Sequence, residues 1–306
     1  MAVRRGAGND PSGHQCRCRV HLSGRQLAHD RGADMNEPAR FHWAVWLGSI
    51  AALLVLLLPV VIVVLAGLTA GEYLTFPPQG LSLKWVIAFL QSATFFPAYL
   101  FSLVLATITM VIACVIGTMA AVYLTRTRFW GAKLMRGIFM TPIILPGLVL
   151  GLALYVFYVM TDLGLARSFA GLLIGHVLVT TPFVLATVSA ALVGFDRSLE
   201  EAARSLGAGP LQAFRLVTLR IIAPAISAGA IFAFIISFGQ FDLSLYLGTP
   251  NLTNLPYAMY ISLRYKFEPT AAAAGIFAIA LVVASMLLTA RLVNLGKLVA
   301  NTRLRW

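Results

Sequence analysis

The sequence predicts an all-α, polytopic membrane protein with six transmembrane helices. Hydrophobic residues make up 59% of the chain and charged residues only 11%, and the mean hydropathy is +0.86. Ordinary soluble domains are much more polar. Several apolar runs also reach the roughly 20 residues that a helix needs to cross about 30 Å of hydrocarbon, whereas barrel strands are short and alternate in polarity. Length therefore favours helices over a barrel.

Polar or turn-forming segments separate six apolar runs, all within one predicted domain over residues 41–296. We predict spans at about 44–68, 98–123, 138–160, 171–193, 221–247 and 271–293. Pro142, Pro146 and Pro182 fall inside the third and fourth spans and should kink or break them, because proline cannot donate the helical hydrogen bond. The glycines that we expect to permit close helix packing are Gly117, Gly151 and Gly175.

The two ends of the chain are predicted to be tails. Residues 1–40 are polar and Arg-rich, which indicates disorder, and they lack the apolar run of a cleavable signal peptide. Met35 is an alternative start, because it leads directly into the first span. A second tail is predicted over residues 297–306. The first tail contains His14, Cys16, Cys18 and His21. A Cys-x-Cys pair lacks the usual zinc spacing, so we expect no metal site.

Lys and Arg are distributed unevenly over the predicted loops. Of the 23 such residues, 19 fall in the two tails and in the loops that follow the second and fourth spans. The four on the other side are Lys84, Arg167, Arg264 and Lys266. The positive-inside rule therefore predicts that both termini face the cytoplasm. This topology explains the net charge of +12, so a nucleic-acid partner is not needed to account for it.

The loop between the fourth and fifth spans, residues 194–220, carries unusually strong helix signals. Ser198 and Glu201 fit a capping box, which would start a short helix at Leu199. Gly207 can end this helix by adopting a left-handed conformation. The sequence thus predicts a short, capped helix that projects from the membrane.

A second helix should follow the first and lead into the fifth span. Gly209 breaks the chain, and Pro210 is suited to the first position of the new helix, which would run from Leu211 to about Leu219. Pro224 would kink the start of the span. The residues alone leave two interpretations open. The loop is either a docking element for a partner or an ordinary amphipathic connector.

This loop resembles the signature loop of binding-protein-dependent ABC importer permeases. That signature reads Glu-Ala-Ala, three residues, Gly, nine residues, Ile, one residue and Leu-Pro. The matching residues are Glu201, Ala202, Ala203, Gly207, Val217 and Leu219. Val217 is a mild replacement of Ile. Arg220 stands in place of the final Pro, which is the larger departure, and Pro224 could supply the bend instead.

The resemblance covers about residues 44–295 and favours the spermidine/putrescine-type branch of the family. The weaker matches to that branch are Phe76-Pro77-Pro78, Thr125-Arg126, Pro142, Pro146, His176, Pro182, Phe241-Asp242, Leu245 to Leu247, Leu255-Pro256 and Pro269-Thr270-Ala271-Ala272. The resemblance implies a type I ABC importer permease fold, in a bacterial inner membrane and surrounded by lipid. The cargo would be a polyamine or a similar small organic cation.

The resemblance also implies partners and roles for the loop residues. Two permeases, expected to be different chains, would form the pathway, and an external binding protein would deliver the solute. A dimer of ATPase subunits would bind ATP and Mg. The helix over 199–206 would be a coupling helix seated on one ATPase, and its contact residues would be Glu200, Glu201, Ala202, Ala203, Leu206 and Gly207. This chain has no phosphate-binding Gly-x-x-x-x-Gly-Lys-Ser/Thr motif, so we expect it to bind no cofactor itself.

Ionisable and polar residues within the spans are candidates for the solute pathway. Asp242 and Gln240 lie in the predicted fifth span, and His176 lies in the fourth. Asp242 could attract a cation or pair internally, and His176 could hold two helices together. We find no arrangement of a nucleophile beside a base and therefore predict no enzyme activity.

Two alternative functions follow from the same residues. The first is an ABC permease for another solute, such as ferric ion, an amino acid or an opine-like compound. The second is a secondary transporter. Such transporters usually have repeated halves and coupling groups near the bilayer midplane. Asp242 is nearly alone among the spans and no internal repeat is evident, which argues against the second alternative.

Overall fold

The computed structural model describes residues 39–127 and 129–302. The chain divides into two compact units, with the boundary in the sequence between Leu57 and Leu58. The described part of the first unit is residues 39–57, a stretch of apolar helix. All packing described below lies within the second unit. The metal-ligand candidates of the N-terminal tail lie outside the described residues.

The described chain is helical, and its helices are joined by short connections. They are α1 Ala39–Gly67, α2 Lys84–Gln91, α3 Phe95–Arg126, α4 Ala132–Ile144, α5 Gly147–Thr161, α6 Phe169–Val193, α7 Ser198–Ser205, α8 Pro210–Ala213, α9 Leu219–Phe238, α10 Asp242–Leu247, α11 Leu255–Tyr265 and α12 Pro269–Thr302. A π-helical segment, Phe214–Thr218, connects α8 to α9 without a break. Helix α12 continues into the predicted C-terminal tail.

Five helical stretches of the described chain are long and apolar enough to cross a membrane: Val45–Gly67, Phe95–Arg126, Phe169–Val193, Pro210–Phe238 and Pro269–Arg291. Together, α4 and α5 make a sixth candidate. Their axis bends by 108° at the break between Ile144 and Gly147. Pro146 lies in that break, as predicted for the third span. Helices α4 and α6 continue through Pro142 and Pro182.

The predicted fifth span over 221–247 is wrong at its C-terminal boundary. Helix α9 ends at Phe238, and its Gly239 C-cap is followed by non-helical backbone before α10 begins at Asp242. Apolar composition continues across this break, so hydropathy alone does not detect it. Asp242 therefore begins a separate short helix and does not lie within the long spanning helix.

Helices α3, α6 and α9 pack against one another to form the centre of the second unit. Val184 of α6 lies between two glycines on the neighbouring helices. A Cβ atom at Gly117 would lie 2.8 Å from Val184 Cβ, and one at Gly229 would lie 3.1 Å from Val184 Cα. The prediction that Gly117 permits close packing is confirmed. Gly229 has the same function and was not predicted.

A second cluster joins α2 to the other end of the bundle. The Phe89 ring stacks on Phe277 with centroids 4.3 Å apart and meets Tyr99 edge-on at 5.9 Å. The Trp85 indole nitrogen donates a hydrogen bond to the Gly71 carbonyl oxygen at 3.0 Å. These contacts attach the short helix α2 to α3, to α12 and to the loop that contains Gly71.

Candidate functional site

The short helix of the predicted coupling loop, α7, begins at Ser198. The Asp196 carboxylate accepts a hydrogen bond from the Ser198 backbone nitrogen at 2.9 Å, and this bond holds the pKa of Asp196 below its ordinary value. The Glu201 amide instead donates to the Arg197 carbonyl oxygen at 3.1 Å. The helix is confirmed, but the predicted capping box of Ser198 and Glu201 is not formed. Asp196 holds the start of the helix instead.

The end of α7 is set by Gly207, which has φ +91°. The Gly207 amide donates to the Arg204 carbonyl oxygen at 3.0 Å, and the Ala208 amide donates to the Ala203 carbonyl oxygen at 3.1 Å. This pair of bonds is the Schellman arrangement, which requires a left-handed residue. Among the described residues, no atom lies within 4 Å of a Cβ added at Gly207. The predicted left-handed stop is confirmed.

The two faces of α7 differ in exposure. Glu201, Ala202 and Leu206 are exposed, and Leu206 retains 89% of its accessible surface. Glu200 and Ala203 are partly buried on the opposite face. Of the six predicted coupling residues, the structure therefore leaves Glu201, Ala202, Leu206 and Gly207 open to a partner. It turns Glu200 and Ala203 toward the rest of the chain.

Glu200 belongs to a polar cluster of three side chains, Arg126, Glu200 and Thr218, here named the Arg126 cluster. The Arg126 guanidinium donates to both carboxylate oxygens of Glu200, from Nη1 to Oε1 at 3.0 Å and from Nη2 to Oε2 at 2.7 Å. The Thr218 hydroxyl donates to Glu200 Oε2 at 2.9 Å and accepts from Arg126 Nη2 at 3.2 Å. The cluster joins the last residue of α3, the first turn of α7 and the π segment before α9.

The Arg126 cluster is largely shielded from solvent. The side chains of Arg126 and Glu200 are 30% and 17% exposed, and Thr218 is fully buried. The guanidinium carbon of Arg126 also lies 5.6 Å from the centre of the Phe214 ring, on the same π segment. Hydrogen bonding from Arg126 is the largest cause that lowers the pKa of Glu200, so its carboxylate stays ionised at neutral pH.

The π segment positions Thr218 for this cluster. The Leu219 amide bonds the Phe214 carbonyl oxygen five residues earlier, and a single π turn of this kind changes the direction in which the following side chains point. The helix then continues through Arg220 and Pro224. The departure of Arg220 from the family signature therefore leaves the helix intact. The predicted second helix is confirmed from Pro210 onward and is continuous with the span.

The structure places Asp242 against the break in the third span. A Cβ atom at Gly147, the first residue of α5, would collide with the Asp242 carboxylate, so this acid lies directly on the start of that helix. Asp242 is also the first residue of α10. Its side chain is partly exposed, and no hydrogen bond or ion pair holds the carboxylate within the described chain.

Gln240 and Phe241 immediately precede Asp242, and the Phe241 ring lies near two tyrosine rings of α11. The Gln240 carbonyl oxygen accepts a hydrogen bond from Asn254 Nδ2 at 2.5 Å, which ties the α9–α10 connection to the start of α11. The Phe241 ring centre lies 4.9 Å from that of Tyr260 and 6.4 Å from that of Tyr257. None of these three rings is buried. The sequence pointed to Phe241 only as part of the family match Phe241-Asp242, and its contact with the two tyrosines was not predicted. Tyr257 and Tyr260 lie 16 and 19 residues beyond Phe241, a separation that gives no recognisable sequence pattern.

His176 is in a different environment from the other two predicted pathway residues. It is fully buried, and its Nδ1 atom lies 2.9 Å from the Ser237 hydroxyl oxygen. This hydrogen bond connects α6 to α9. His176 therefore joins two helices in the described structure, which is the alternative that the sequence left open for it.

The described residues contain no group of three or more His, Cys, Asp and Glu side chains that could hold a metal ion. The Arg126 cluster was not predicted from the sequence as a unit. Arg126 and Glu200 are 74 residues apart. The sequence shows Arg126 at the end of the second span and Glu200 in the loop after the fourth span. It does not indicate that these two residues pair.

Comparisons with known proteins agree with this architecture. Residues 113–296 match the family model described as "Binding-protein-dependent transport system inner membrane component". The spermidine/putrescine transport system permease protein PotC of Escherichia coli K12 is 29% identical over 214 residues, 69% of this chain and 80% of that protein. The putrescine transport system permease protein PotI of the same strain is 32% identical over 195 residues, 62% of this chain and 69% of that protein.

A solved structure shares the fold. One chain of a bacterial alginate ABC transporter, in complex with a periplasmic protein bound to an alginate pentasaccharide, superposes with a TM-score of 0.66 at 16% identity. The match covers 87% of this chain and 94% of that chain. The family match, the relatives and the helical architecture lead to one assignment. The chain belongs to the binding-protein-dependent transport system inner membrane components and is the multi-pass permease of an ABC importer.

Proposed function

We propose that α7 is the coupling helix on which a separate ATPase subunit docks. The observation that carries this proposal is the exposed face formed by Glu201, Ala202 and Leu206 on a helix whose two ends are both fixed. Asp196 holds the first turn, and the Schellman arrangement at Gly207 holds the last. A docking helix that transmits force must keep its shape under load, and these two caps support that requirement.

The proposed mechanism is a two-state movement driven by the partner. ATP binding and hydrolysis on the ATPase dimer would move α7 between two positions, and the attached spans would alternate the pathway between its two faces. ATP and Mg would be bound by the partner, since this chain contains no phosphate-binding loop of the kind described above. The chain would thus contribute the coupling helix and part of the solute pathway, and a second permease would complete the pathway.

We propose that α7, the end of α3 and the π segment before α9 face the cytoplasm. The Arg126 cluster shows that these three segments share one end of the bundle. The two loops at that end carry eight of the 23 Lys and Arg, the loops on the predicted opposite side carry four, and loops rich in these residues remain on the cytoplasmic side. Both termini would then be cytoplasmic, and an external binding protein would meet the opposite end.

We further propose that the solute is a polyamine or a similar organic cation. Two relatives are permeases of spermidine or putrescine systems. Asp242 has no hydrogen-bond or ion-pair partner among the described residues, and it lies beside Phe241, whose ring contacts Tyr260. A carboxylate and aromatic faces are the groups that attract an alkylammonium ion. Ferric ion, an amino acid or an opine-like compound remain as alternative cargoes.

Transport assays on the reconstituted importer test the coupling proposal. The chain, its partner permease, ATPase and binding protein are placed in proteoliposomes, and uptake of labelled spermidine and putrescine is measured with and without ATP. Gly207→Val should abolish uptake although the complex still assembles, because a β-branched residue does not tolerate φ +91°. The matched control is Gly194→Ala, since Gly194 has φ −83° and an added methyl group there is not crowded. Normal ATP-driven uptake by Gly207→Val would refute the proposal that α7 is the coupling helix.

A second assay tests the solute. Asp242→Asn should raise the KM for spermidine by about tenfold, the factor that corresponds to about 1.4 kcal/mol, with little effect on ATP hydrolysis. Asp162→Asn is the control, because Asp162 is an exposed acid whose left-handed backbone suits asparagine. An unchanged KM would remove Asp242 from the pathway. ATP-dependent uptake of another solute, with no polyamine uptake, would replace the proposed cargo and keep the coupling proposal.

A further inference from the structure

The coupling helix needs a connection to the spans that it moves. A helix that only follows its neighbours in sequence could tilt on its flanking loops without transmitting the movement. The covalent links of α7 are the residues around Gly194 on one side and the turn at Gly207 on the other, and both are glycine-containing. Force from a docked partner must therefore pass through side-chain contacts as well as through the backbone.

The Arg126 cluster supplies such a contact. It joins α7 to α3 through two charge-assisted hydrogen bonds and to the π segment through the Thr218 hydroxyl. Hydrogen bonds between ionised partners are shorter and stronger than neutral ones, and the two-pronged geometry fixes orientation as well as distance. Most surface ion pairs contribute little, but this pair is mainly shielded and has a buried third member.

A second contact reinforces the same connection. Arg197, just before α7, donates from Nη2 to the Thr125 carbonyl oxygen at 3.4 Å. Thr125 lies in the last turn of α3, where the helix dipole favours a cation. Arg126 also lies in that last turn and packs near Phe214 of the π segment. Two adjacent residues at the end of α3, Thr125 and Arg126, therefore form hydrogen bonds with α7 and with the residue just before it.

We propose that the Arg126 cluster is the mechanical joint that transmits movement of α7 to α3 and α9. Arg126, Glu200 and Thr218 are positioning residues in this proposal, which rests on the coupling function proposed above for α7. Glu200 holds the helix against its own chain and leaves contact with the ATPase to Glu201, Ala202 and Leu206. The π segment is part of the joint because it presents Thr218 to the carboxylate.

The test separates ATP hydrolysis from transport in the reconstituted importer. Glu200→Gln keeps the size of the side chain and removes the charge. We expect spermidine uptake per ATP hydrolysed to fall by about tenfold or more, a factor worth about 1.4 kcal/mol, while the ATPase still co-purifies and hydrolyses ATP. The reversed pair Arg126→Glu with Glu200→Arg should recover part of this ratio, whereas each single reversal should lose it. Arg136→Gln, at an exposed arginine of α4, is the matched control.

The outcomes distinguish the joint from its alternatives. A merely structural ion pair would lower the amount of assembled complex and leave uptake per ATP unchanged, which would overturn the proposal. Failure of the reversed pair to exceed both single reversals would also overturn it. If α7 is not the docking helix, a photo-crosslinking residue at Ala202 would give no adduct with the ATPase. In that case the proposed function fails first, independently of the cluster.

Discussion

Glu200 and Glu201 are adjacent in sequence and have different environments. Glu200 binds Arg126 and Thr218 on the inner face of α7, and Glu201 is exposed on the outer face. The family signature begins at the second of these residues. This separation gives each acid one function in our account. Glu200 fixes the helix to the spans, and Glu201 remains available to a partner.

The environment of Glu200 predicts how the stability of the protein depends on pH. Its pKa is lowered in the folded chain, chiefly by the hydrogen bonds from Arg126, with further contributions from Thr218 and the charge of Arg204. A lowered carboxylate pKa stabilises the fold above the unfolded value of about 4.3, and this contribution is lost as the pH falls through the folded value. The cluster should therefore persist at mildly acidic pH.

Thermal unfolding of the detergent-solubilised protein tests this prediction. Glu200→Gln should unfold at a lower temperature than wild type between pH 7 and 5, by an amount that reflects about 1.5–3 kcal/mol for hydrogen bonds to a charged group. The difference should shrink only below the ordinary range of glutamate. A difference that disappears already between pH 7 and 5 would show that the carboxylate is not held by Arg126.

Individual helices are positioned by small residues at their closest approaches. Helix α6 passes between α3 and α9, and Val184 contacts Gly117 on one side and Gly229 on the other. The hydrophobic effect does not drive helices together within lipid, so close packing of this kind determines which helices associate. Helix α9 begins directly after the π segment and ends before its C-cap residue, Gly239.

The packing of α3 on α6 predicts a contrast between two alanine substitutions. Gly117→Ala should destabilise the protein by about 1–3 kcal/mol, because the added methyl group would lie 2.8 Å from Val184 Cβ and force the helices apart. Gly137→Ala in α4 should be neutral or slightly stabilising, since no described atom lies within 4 Å of the added group and alanine favours helix. Equal midpoints of thermal unfolding for the two variants would contradict this packing.

The architecture of the whole molecule follows from hydropathy to a large extent. Apolar length identified four of the six spans as single helices within a few residues, and the Gly207 and Pro210 signals placed the end of α7 and the start of α8. These features are local, so they can be predicted from neighbouring residues. The boundary of the fifth span could not be predicted, because Leu243, Leu245 and Leu247 continue the apolar pattern after α9 has ended.

The remaining features depend on contacts that are distant in sequence. Pairing of Arg126 with Glu200 and of His176 with Ser237 requires knowledge of which helices are neighbours. The sequence contains each partner but no signal of the pairing. The N-terminal cap of α7 was missed for a different reason. Asp196 and Ser198 both suit a cap, and the fold uses the one that lies earlier in the chain.

The central claim for the whole molecule is that the exposed face of α7 contacts an ATPase. The most direct measurement is photo-crosslinking in intact bacteria that carry the complete importer, with a photoreactive residue placed at Leu206. Met160, which is also exposed and lies near the opposite end of the third span, serves as the control position. We predict an adduct with the ATPase from position 206 and none from position 160. An assembled importer that gives no ATPase adduct from position 206 would contradict the account.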